Sequence, residues 1–421
     1  MTADRNKAFK AQESGDVETA VAEWTVLAEQ GDADARTALG FYYMVGEGVP
    51  QNDDIAVKWF TLAAAQGDAD AQCQLGQLYY TGSGVTKNDT RAVEWLTKAA
   101  EQCHVDAQYE LGSIYCRPFG LVADDNGSFG DEDSDVPWNN ETALKWFTLA
   151  GKQGNANAQY MLGMHYAFGQ GVPQSDDKAV VWFFLSGDNE NAEAQFELGH
   201  HYAHGKGVTQ SDKQSLRWYT LSAKQGHTSS QYELGLMYET GTRVLKDNQK
   251  ALEWYTEAAE LGQSEAQRRL GEMYTQVAGV PKNYDAAFKW FTLAADQGDC
   301  IAQCELGQMY SKGRGVSQND IGAVKWYTKA AEEGDPDAQC LLGDSYYHGR
   351  GVLKDYVQAY MWYDLSSGDG SNEGHQNKES IAEKMTSTQI AKAQEMSRLW
   401  LERTNDKYLN GPFYTARFQL L

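Results

Sequence analysis

Residues 69–102 read ADAQCQLGQLYYTGSGVTKNDTRAVEWLTKAAEQ, and this stretch decides the fold. Leu75 and Tyr79 lie at helical spacing within an apolar face, so the first half is predicted to be one helix. Gly82 and Gly84 follow that face. Because glycine commonly follows the last residue of a helix, we expect the helix to end there.

The second half of the same stretch predicts a second helix. Ala92, Trp95, Leu96 and Ala99 form its apolar face, and the Lys-Asn-Asp before it offers an N-cap. The stretch therefore predicts a helix hairpin, which cannot bury its apolar face unless neighbouring hairpins stack on it.

The hairpin recurs along the chain. A tryptophan lies in the second helix of each hairpin and a Leu-Gly pair in the first. From Trp146 onward the spacing of the tryptophans is always 36 residues: Trp146, Trp182, Trp218, Trp254, Trp290, Trp326 and Trp362. The regular spacing of the Leu-Gly pairs is interrupted once, between Leu111 and Leu162. The sequence therefore predicts an all-α fold, a right-handed α/α superhelical solenoid of 36-residue helix-hairpin repeats.

The repeated pattern is Ala-x-Ala-Gln-x-x-Leu-Gly-x-x-Tyr-x-x-Gly-x-Gly-Val, then Ala-x-x-Trp, then Ala-Ala-x-x-Gly, from about Ala33 to Ser367. It resembles the Sel-one-like repeat (SLR) family, relatives of the tetratricopeptide repeats. The resemblance implies adaptors, secretion and signalling regulators or toxin-neutralising proteins, with no shared chemistry. It also implies that the first helices of the hairpins line a concave binding face.

Five segments are expected along the chain: a degenerate hairpin cap (1–32), nine repeats (33–368), an acidic insert at about 117–140 within repeat three, capping helices (369–403) and an aromatic tail (404–421). Thr386 and Gln389 are spaced as a capping box. The tail is expected to pack on the last helices, or to enter the groove of another copy.

Charge limits the partners. The chain has 36 basic and 59 acidic residues, a net charge of −23, which disfavours nucleic acid and favours a basic protein partner. The sequence contains no run of 18 apolar residues, so membrane insertion is not predicted. The N-terminal residues lack the apolar stretch of a signal peptide, so a cytoplasmic location is expected, or a periplasmic or secreted one if a signal has been removed. The oligomeric state stays open.

Eight residues are candidate partner contacts on the concave face. Four aromatic residues occupy one repeat position in consecutive repeats: Tyr109, Tyr160, Phe196 and Tyr232. Rigid aromatic rings are good anchors for a partner, although they can equally pack between helices. Variable positions nearby extend the surface: Met164, His200, His204 and Leu236. The spacing of His200 and His204 can suit a metal, but without a further ligand nearby we interpret them as groove-lining polar residues and predict neither metal nor cofactor.

Six carboxylates make the insert a second candidate contact: Asp124, Asp125, Asp131, Glu132, Asp133 and Asp135. Three interpretations stay open at this point. The insert is a solvated loop, a contact for a basic partner, or a calcium site whose spacing differs from that of an EF-hand.

The cysteines and the absence of catalytic motifs complete the prediction. Cys73, Cys304 and Cys340 share one repeat position, which favours small buried hydrophobes over disulfides. Neither a nucleophile elbow, a phosphate loop nor a His-Glu-x-x-His motif occurs.

The expected function is a non-catalytic scaffold or adaptor. The alternatives are a bacterial immunity or inhibitor protein that neutralises a cognate secreted toxin, such as a lipase effector, and a metal-dependent or hydrolytic enzyme.

Overall fold

The structure is a computed structural model that describes residues 4–119, 135–368 and 371–409, with side chains up to residue 404. These residues form helices and no strand, as predicted for an all-α solenoid of repeats. The chain divides into two compact units, Met1–Gln210 and Ser211–Leu421. Within each unit, helices pair as hairpins, and each first helix also packs on the second helix of the preceding repeat.

Unit 1 contains α1 (Arg5–Ser14), α2 (Val17–Glu29), α3 (Ala33–Val45), α4 (Asp53–Ala64), α5 (Ala69–Thr81), α6 (Asp89–Glu101), α7 (Val105–Tyr115), α8 (Asn140–Lys152), α9 (Ala156–Phe168), α10 (Asp176–Asp188) and α11 (Ala192–His204). Unit 2 contains α12 (Asp212–Lys224), α13 (Thr228–Thr240), α14 (Asn248–Glu260), α15 (Ser264–Gln276), α16 (Tyr284–Asp296), α17 (Cys300–Lys312), α18 (Asp320–Glu332), α19 (Pro336–His348), α20 (Tyr356–Gly368), α21 (Asn372–Ala382) and α22 (Ser387–Leu409).

Local capping explains why each hairpin begins and ends where it does. The side chain of Asp68 accepts a hydrogen bond from the Ala71 N–H at the start of α5, and Asn88 does the same for Arg91 in α6. Gly82 ends α5 in the left-handed conformation, at φ 78°. These caps confirm the ends that the sequence predicts, because they satisfy backbone groups that helix termini leave without partners.

In eight hairpins of the described chain, a glycine of the first helix packs against an aromatic or leucine side chain of the second. The glycine of the Leu-Gly pair lies against the residue that follows the tryptophan, and a methyl group on Gly271 would lie 2.6 Å from the Phe291 ring. The same contact recurs between Gly40 and Phe60, Gly76 and Leu96, Gly112 and Phe147, Gly163 and Phe183, Gly235 and Tyr255, Gly307 and Tyr327, and Gly343 and Tyr363. Glycine is therefore required here for close packing.

A ladder of buried glutamines joins consecutive repeats. The Gln72 side chain donates to the Ala64 carbonyl at the end of the preceding helix (3.1 Å), and Gln102 donates to the Gln72 side-chain oxygen (2.8 Å). The second bond is lost where leucine or glutamate replaces the donating glutamine, at Leu261 and Glu333. The buried side-chain oxygens of Gln231 and Gln303 consequently have no hydrogen-bond partner among the described residues.

The C-terminal helices cover the last repeat of unit 2. The Thr386 N–H donates to Gln389 Oε1 (2.9 Å) and the Gln389 N–H donates to Thr386 Oγ1 (3.3 Å), which confirms the capping box. Ala393 of α22 is fully buried, and the Trp400 ring lies edge-on to Trp362 with centroids 6.1 Å apart. α22 thus acts as the cap that an open stack of repeats needs.

Candidate functional site

The first helices α7, α9 and α11 of unit 1 present a mixed aromatic and acidic surface. We call it the first-helix face, and it consists of Asp106, Tyr109, Glu110, Tyr160, Met164, Glu193, Phe196, Glu197, His200 and His204. Most of these side chains are half-buried. Tyr232 and Leu236, the other two predicted contacts, are half-buried on α13 of unit 2.

The predicted aromatic anchors have two kinds of environment at once. Tyr109 packs on Phe147 and Tyr160 on Phe183, each with ring centroids 6.0 Å apart, and Tyr232 packs on Tyr255 at 5.7 Å. Each of these rings therefore rests on the aromatic core residue of its own hairpin while part of it stays accessible. One side of each ring therefore packs between helices, as the alternative interpretation predicted. A role of the accessible side in binding stays a prediction.

The acidic part of the first-helix face consists of carboxylates four residues apart, Asp106 with Glu110 on α7 and Glu193 with Glu197 on α11. Burial and the neighbouring Asp106 raise the pKa of Glu110, although the Gln77 side chain donates to it at 3.2 Å. Burial and then Glu193 raise the pKa of Glu197 to about 7. Among the described residues, neither Glu110 nor Glu197 has a lysine or arginine within ion-pair distance.

Tyr160 connects the aromatic and acidic parts. Burial raises its pKa, and the carboxylates of Glu197 and Glu193 raise it further. The phenol of α9 thus lies in the electrostatic field of the carboxylates on α11. Consecutive first helices therefore contribute to one continuous surface within unit 1.

We expect Glu197→Gln to stabilise unit 1 in a pH-dependent way. Because the folded-state pKa of about 7 lies above the ordinary glutamate value of 4.5, the folded chain holds a proton that the unfolded chain releases. The wild-type free energy of unfolding should therefore fall as the pH rises from about 4.5 to about 7, and the substitution should remove this fall. Urea unfolding at pH 5.5 and pH 8.5 should show the larger gain at pH 8.5. The exposed Glu141→Gln variant on α8 is the control, and equal gains at both pH values would contradict the prediction.

The histidines on and near this face divide into two kinds. His200 and His204 have ring centroids 4.3 Å apart, and His204 is exposed. The buried His165 and His201 instead place Nδ1 2.8 Å from the Gln170 and Lys206 carbonyls, where they close the loops after their helices. In the described part of the chain, no three His, Cys, Asp or Glu side chains are grouped to hold a metal ion.

The insert lies between α7 and α8, the two helices of one hairpin, where the sequence places it. Asp135 is exposed. The other five predicted carboxylates, Asp124, Asp125, Asp131, Glu132 and Asp133, lie outside the described residues, as do the side chains of the aromatic tail. The contact-loop and calcium hypotheses for the insert stay predictions.

Unit 2 contains an ionic network on its first helices that sequence reasoning missed. Arg268 bonds Glu272 (2.6 Å) and Asp299 (3.1 Å), and Arg269 bonds Glu272 (3.0 Å). Arg268 occupies the repeat position of Tyr109 and Tyr160. The change from an aromatic to a cationic residue at this position was the sequence feature that could have indicated the network. Because these carboxylates already have arginine partners, they offer less to a basic ligand than Glu110 and Glu197 do.

The cysteines behave as the sequence predicts. All six are free, and Cys73, Cys304 and Cys340 are buried. Burial raises the pKa of Cys73 to about 12 and that of Cys340 to about 12, so these thiols stay protonated and unreactive at neutral pH. They are small apolar core residues.

Stacked helix hairpins, glycine-capped helices and a variable face on the first helices define a tetratricopeptide-like repeat solenoid. The Sel1 repeat model matches nine consecutive segments: 33–68, 69–102, 105–155, 156–191, 192–227, 228–263, 264–299, 300–335 and 336–371. The chain belongs to the Sel1 repeat family.

Two solved structures resemble the chain over most of its length. One is a protective antigen with an SLR fold from uropathogenic Escherichia coli, 33% identical, with a TM-score of 0.59, covering 96% of this chain and 90% of that one. The other is a Sel1 repeat protein from Oxalobacter formigenes, 31% identical, with a TM-score of 0.60, covering 77% of this chain and 90% of that one. An immunity protein from Pseudomonas aeruginosa is 18% identical over 54% of this chain and 81% of its own, with a TM-score of 0.33. No curated protein matches the chain.

Proteins of the Sel1 and tetratricopeptide-like kinds generally bind other proteins. Among the helices that the structure describes, none combines the length and apolarity that crossing a bilayer requires.

Proposed function

We propose that the chain is a non-catalytic scaffold that holds a protein partner on the first-helix face of unit 1, and that the bound segment of the partner is basic. The observation that carries this proposal is the presence of two half-buried carboxylates on this face, Glu110 on α7 and Glu197 on α11, of which Glu197 acts on the phenol of Tyr160. A binding role agrees with the family, whose repeats generally serve protein-protein interaction.

The physical argument rests on desolvation. Glu110 and Glu197 already bear part of the cost of leaving water, which their raised pKa values reflect. The charge of Lys206 offsets only part of this cost at Glu197, and it lies beyond ion-pair distance. A lysine or arginine of a partner would supply a closer cation in a partly dry environment, where ion pairs are stronger than at an exposed surface. The accessible edges of Tyr109 and Tyr160 would add apolar contact and cation–π attraction.

Two finer hypotheses extend the proposal. The acidic insert would provide a second, longer-range attraction for the same basic partner, with Asp135 at its described edge. If the partner is a toxic enzyme, the scaffold would be an immunity protein. The identity of the captured partner separates this role from that of an adaptor.

The test is capture of partners from native lysate on the immobilised full chain, followed by mass spectrometry and a direct titration with the purified partner. We expect a basic partner, whose affinity falls at least tenfold in the Glu110→Gln and Glu197→Gln double variant. Tyr160→Ala should weaken binding more than it lowers the melting temperature.

The matched control removes two exposed carboxylates from second helices, Glu94 on α6 and Glu141 on α8. At pH 8.5, where Glu197 is ionised, Glu94→Gln with Glu141→Gln changes the net charge equally but leaves the first-helix face intact. Equal affinity losses in both double variants would show that only net charge matters, and an unchanged affinity in the Glu110 and Glu197 variant would place the partner elsewhere.

A further inference from the structure

A basic pocket lies in unit 2, at the junction of the repeats 264–299 and 300–335. Its volume is about 340 Å³, and three of its lining side chains are the cations Lys282, Lys312 and Arg314. Glu305 is its one lining carboxylate, and Gln276 and Gln308 contribute amide groups. The pocket therefore carries more positive than negative charge in a chain whose net charge is −23.

The repeat pattern changes beside this pocket. The first helices α5, α13 and α19 end at a left-handed glycine, but α15 ends at Gln276 and is followed by Val277 in an extended conformation. At those glycines a methyl group would lie 3.1–3.3 Å from the Cβ of the lysine five residues later, Lys87, Lys246 or Lys354. Lys282 has no such close glycine neighbour. A methyl group added to Gly279, the glycine of the same loop, would have nothing within 4 Å. Lys282, at the end of this loop, lines the pocket instead.

The three cations have no acidic partner within ion-pair distance among the described residues. The Arg314 guanidinium lies over the Tyr284 ring, 5.4 Å from its centroid, and the Lys312 ammonium donates to Gln308 Oε1 at 2.7 Å. Neutral groups therefore hold both cations in place. Elsewhere in unit 2, Arg243, Arg268 and Arg269 all pair with carboxylates.

We propose that this pocket binds a carboxylate group on an acidic peptide segment of a partner protein. Charge complementarity selects an anion, and Arg314 can donate two parallel hydrogen bonds to a carboxylate. The amides of Gln276 and Gln308 can bond the peptide backbone, and Glu305 can accept from a peptide N–H. A free phosphate would bring its negative charge to Glu305 without the peptide backbone N–H groups that can bond this carboxylate. The volume lies at the lower end of the roughly 300–1,000 Å³ typical of ligand pockets, which suits a side chain rather than a folded element.

This inference goes beyond the proposed function, because it concerns a different unit and a ligand of opposite charge. The probe is a hexaglutamate peptide with a fluorescein at its N-terminus, titrated with the full chain and followed by fluorescence anisotropy. We expect saturable binding, which the acidic chain would not otherwise give, and at least a tenfold loss of affinity in the Lys312→Gln and Arg314→Gln double variant. Both side chains are exposed, so the variant should fold, and its melting curve checks this.

The control variant is Lys246→Gln with Lys354→Gln, which removes two lysines at the repeat position of Lys282 but outside the pocket. Absence of saturable binding, equal losses in both double variants, or equal binding of a hexaglutamine peptide would each overturn the proposal. Displacement of the peptide by inorganic phosphate at a lower concentration than by acetate would also overturn it, in favour of a phosphate site. None of these outcomes alters the test of Glu110 and Glu197.

Discussion

Gly271→Ala is expected to lower the free energy of unfolding of unit 2 by about 3 kcal/mol, although alanine is the better helix former. The added methyl would meet three carbons of the Phe291 ring at 2.6–2.7 Å. Phe291 is fully buried, so the ring cannot swing out, and α15 and α16 must move apart. Urea unfolding followed by circular dichroism measures the loss.

The control for this variant is Gly368→Ala at the end of α20. Gly368 is helical and has no described atom within 4 Å of an added methyl, so the substitution should be neutral or slightly stabilising. Phe291→Ala removes the ring opposite Gly271. We expect the Gly271→Ala and Phe291→Ala double variant to lose about 1 kcal/mol less than the sum of the single losses. Strict additivity would show that the glycine and the ring do not constrain each other.

The glycine contact also shows how far sequence reasoning reaches. The 36-residue period, the caps and the hairpins follow from local patterns, and the structure confirms each of them. Sequence reasoning emphasised tryptophan, but the fully buried residue is usually the next one, such as Phe60 after Trp59. Both lie on the inner side of the same helix, and only packing against the partner helix decides which of them fills the hairpin.

Non-local partners limited the other predictions. The Ala-Gln dipeptide was visible in the repeat, but the role of Gln72 depends on a carbonyl eight residues earlier and on Gln102 in the same repeat. The sequence analysis also did not predict that other residues adopt the left-handed conformation at positions where most repeats have glycine. These residues are Cys103, Glu190 and Arg243, with φ angles of 65°, 63° and 68°. At the position of Cys103, Gly67 and Gly154 have nothing within 4 Å of an added methyl, so a side chain costs backbone strain but no clash.

For the candidate site, the sequence supplied the residue types and the structure supplied their burial. A stripe of Tyr109 and Tyr160 is compatible with either a core or a surface, and the structure shows part of each. The carboxylates Glu110 and Glu197 were overlooked because charges on a helix usually face solvent. Their environment depends on the neighbouring first helix, which no local pattern encodes.

Ala393→Glu is expected to detach α22 from the rest of unit 2 without unfolding the unit. Ala393 is fully buried in a cluster with Cys340, Tyr360 and Tyr363, where a carboxylate would have neither water nor a counter-ion. An unpaired buried charge costs about 3–5 kcal/mol, and separation of α22 from its neighbours removes that cost by hydrating the carboxylate. Because each element of a repeat stack contacts only its neighbours, the damage should stay at the end.

Hydrogen exchange read by mass spectrometry distinguishes this local opening from global unfolding. In Ala393→Glu, backbone amides of α22 should exchange at least about 100-fold faster, whereas those of α15 to α18 should keep their protection. The control is Lys392→Glu, which changes the charge by two at the adjacent exposed position and should leave exchange unaltered. Uniform loss of protection across unit 2 would mean that the unit unfolds as one cooperative block. Unchanged protection of α22 would mean that Ala393 does not anchor the cap.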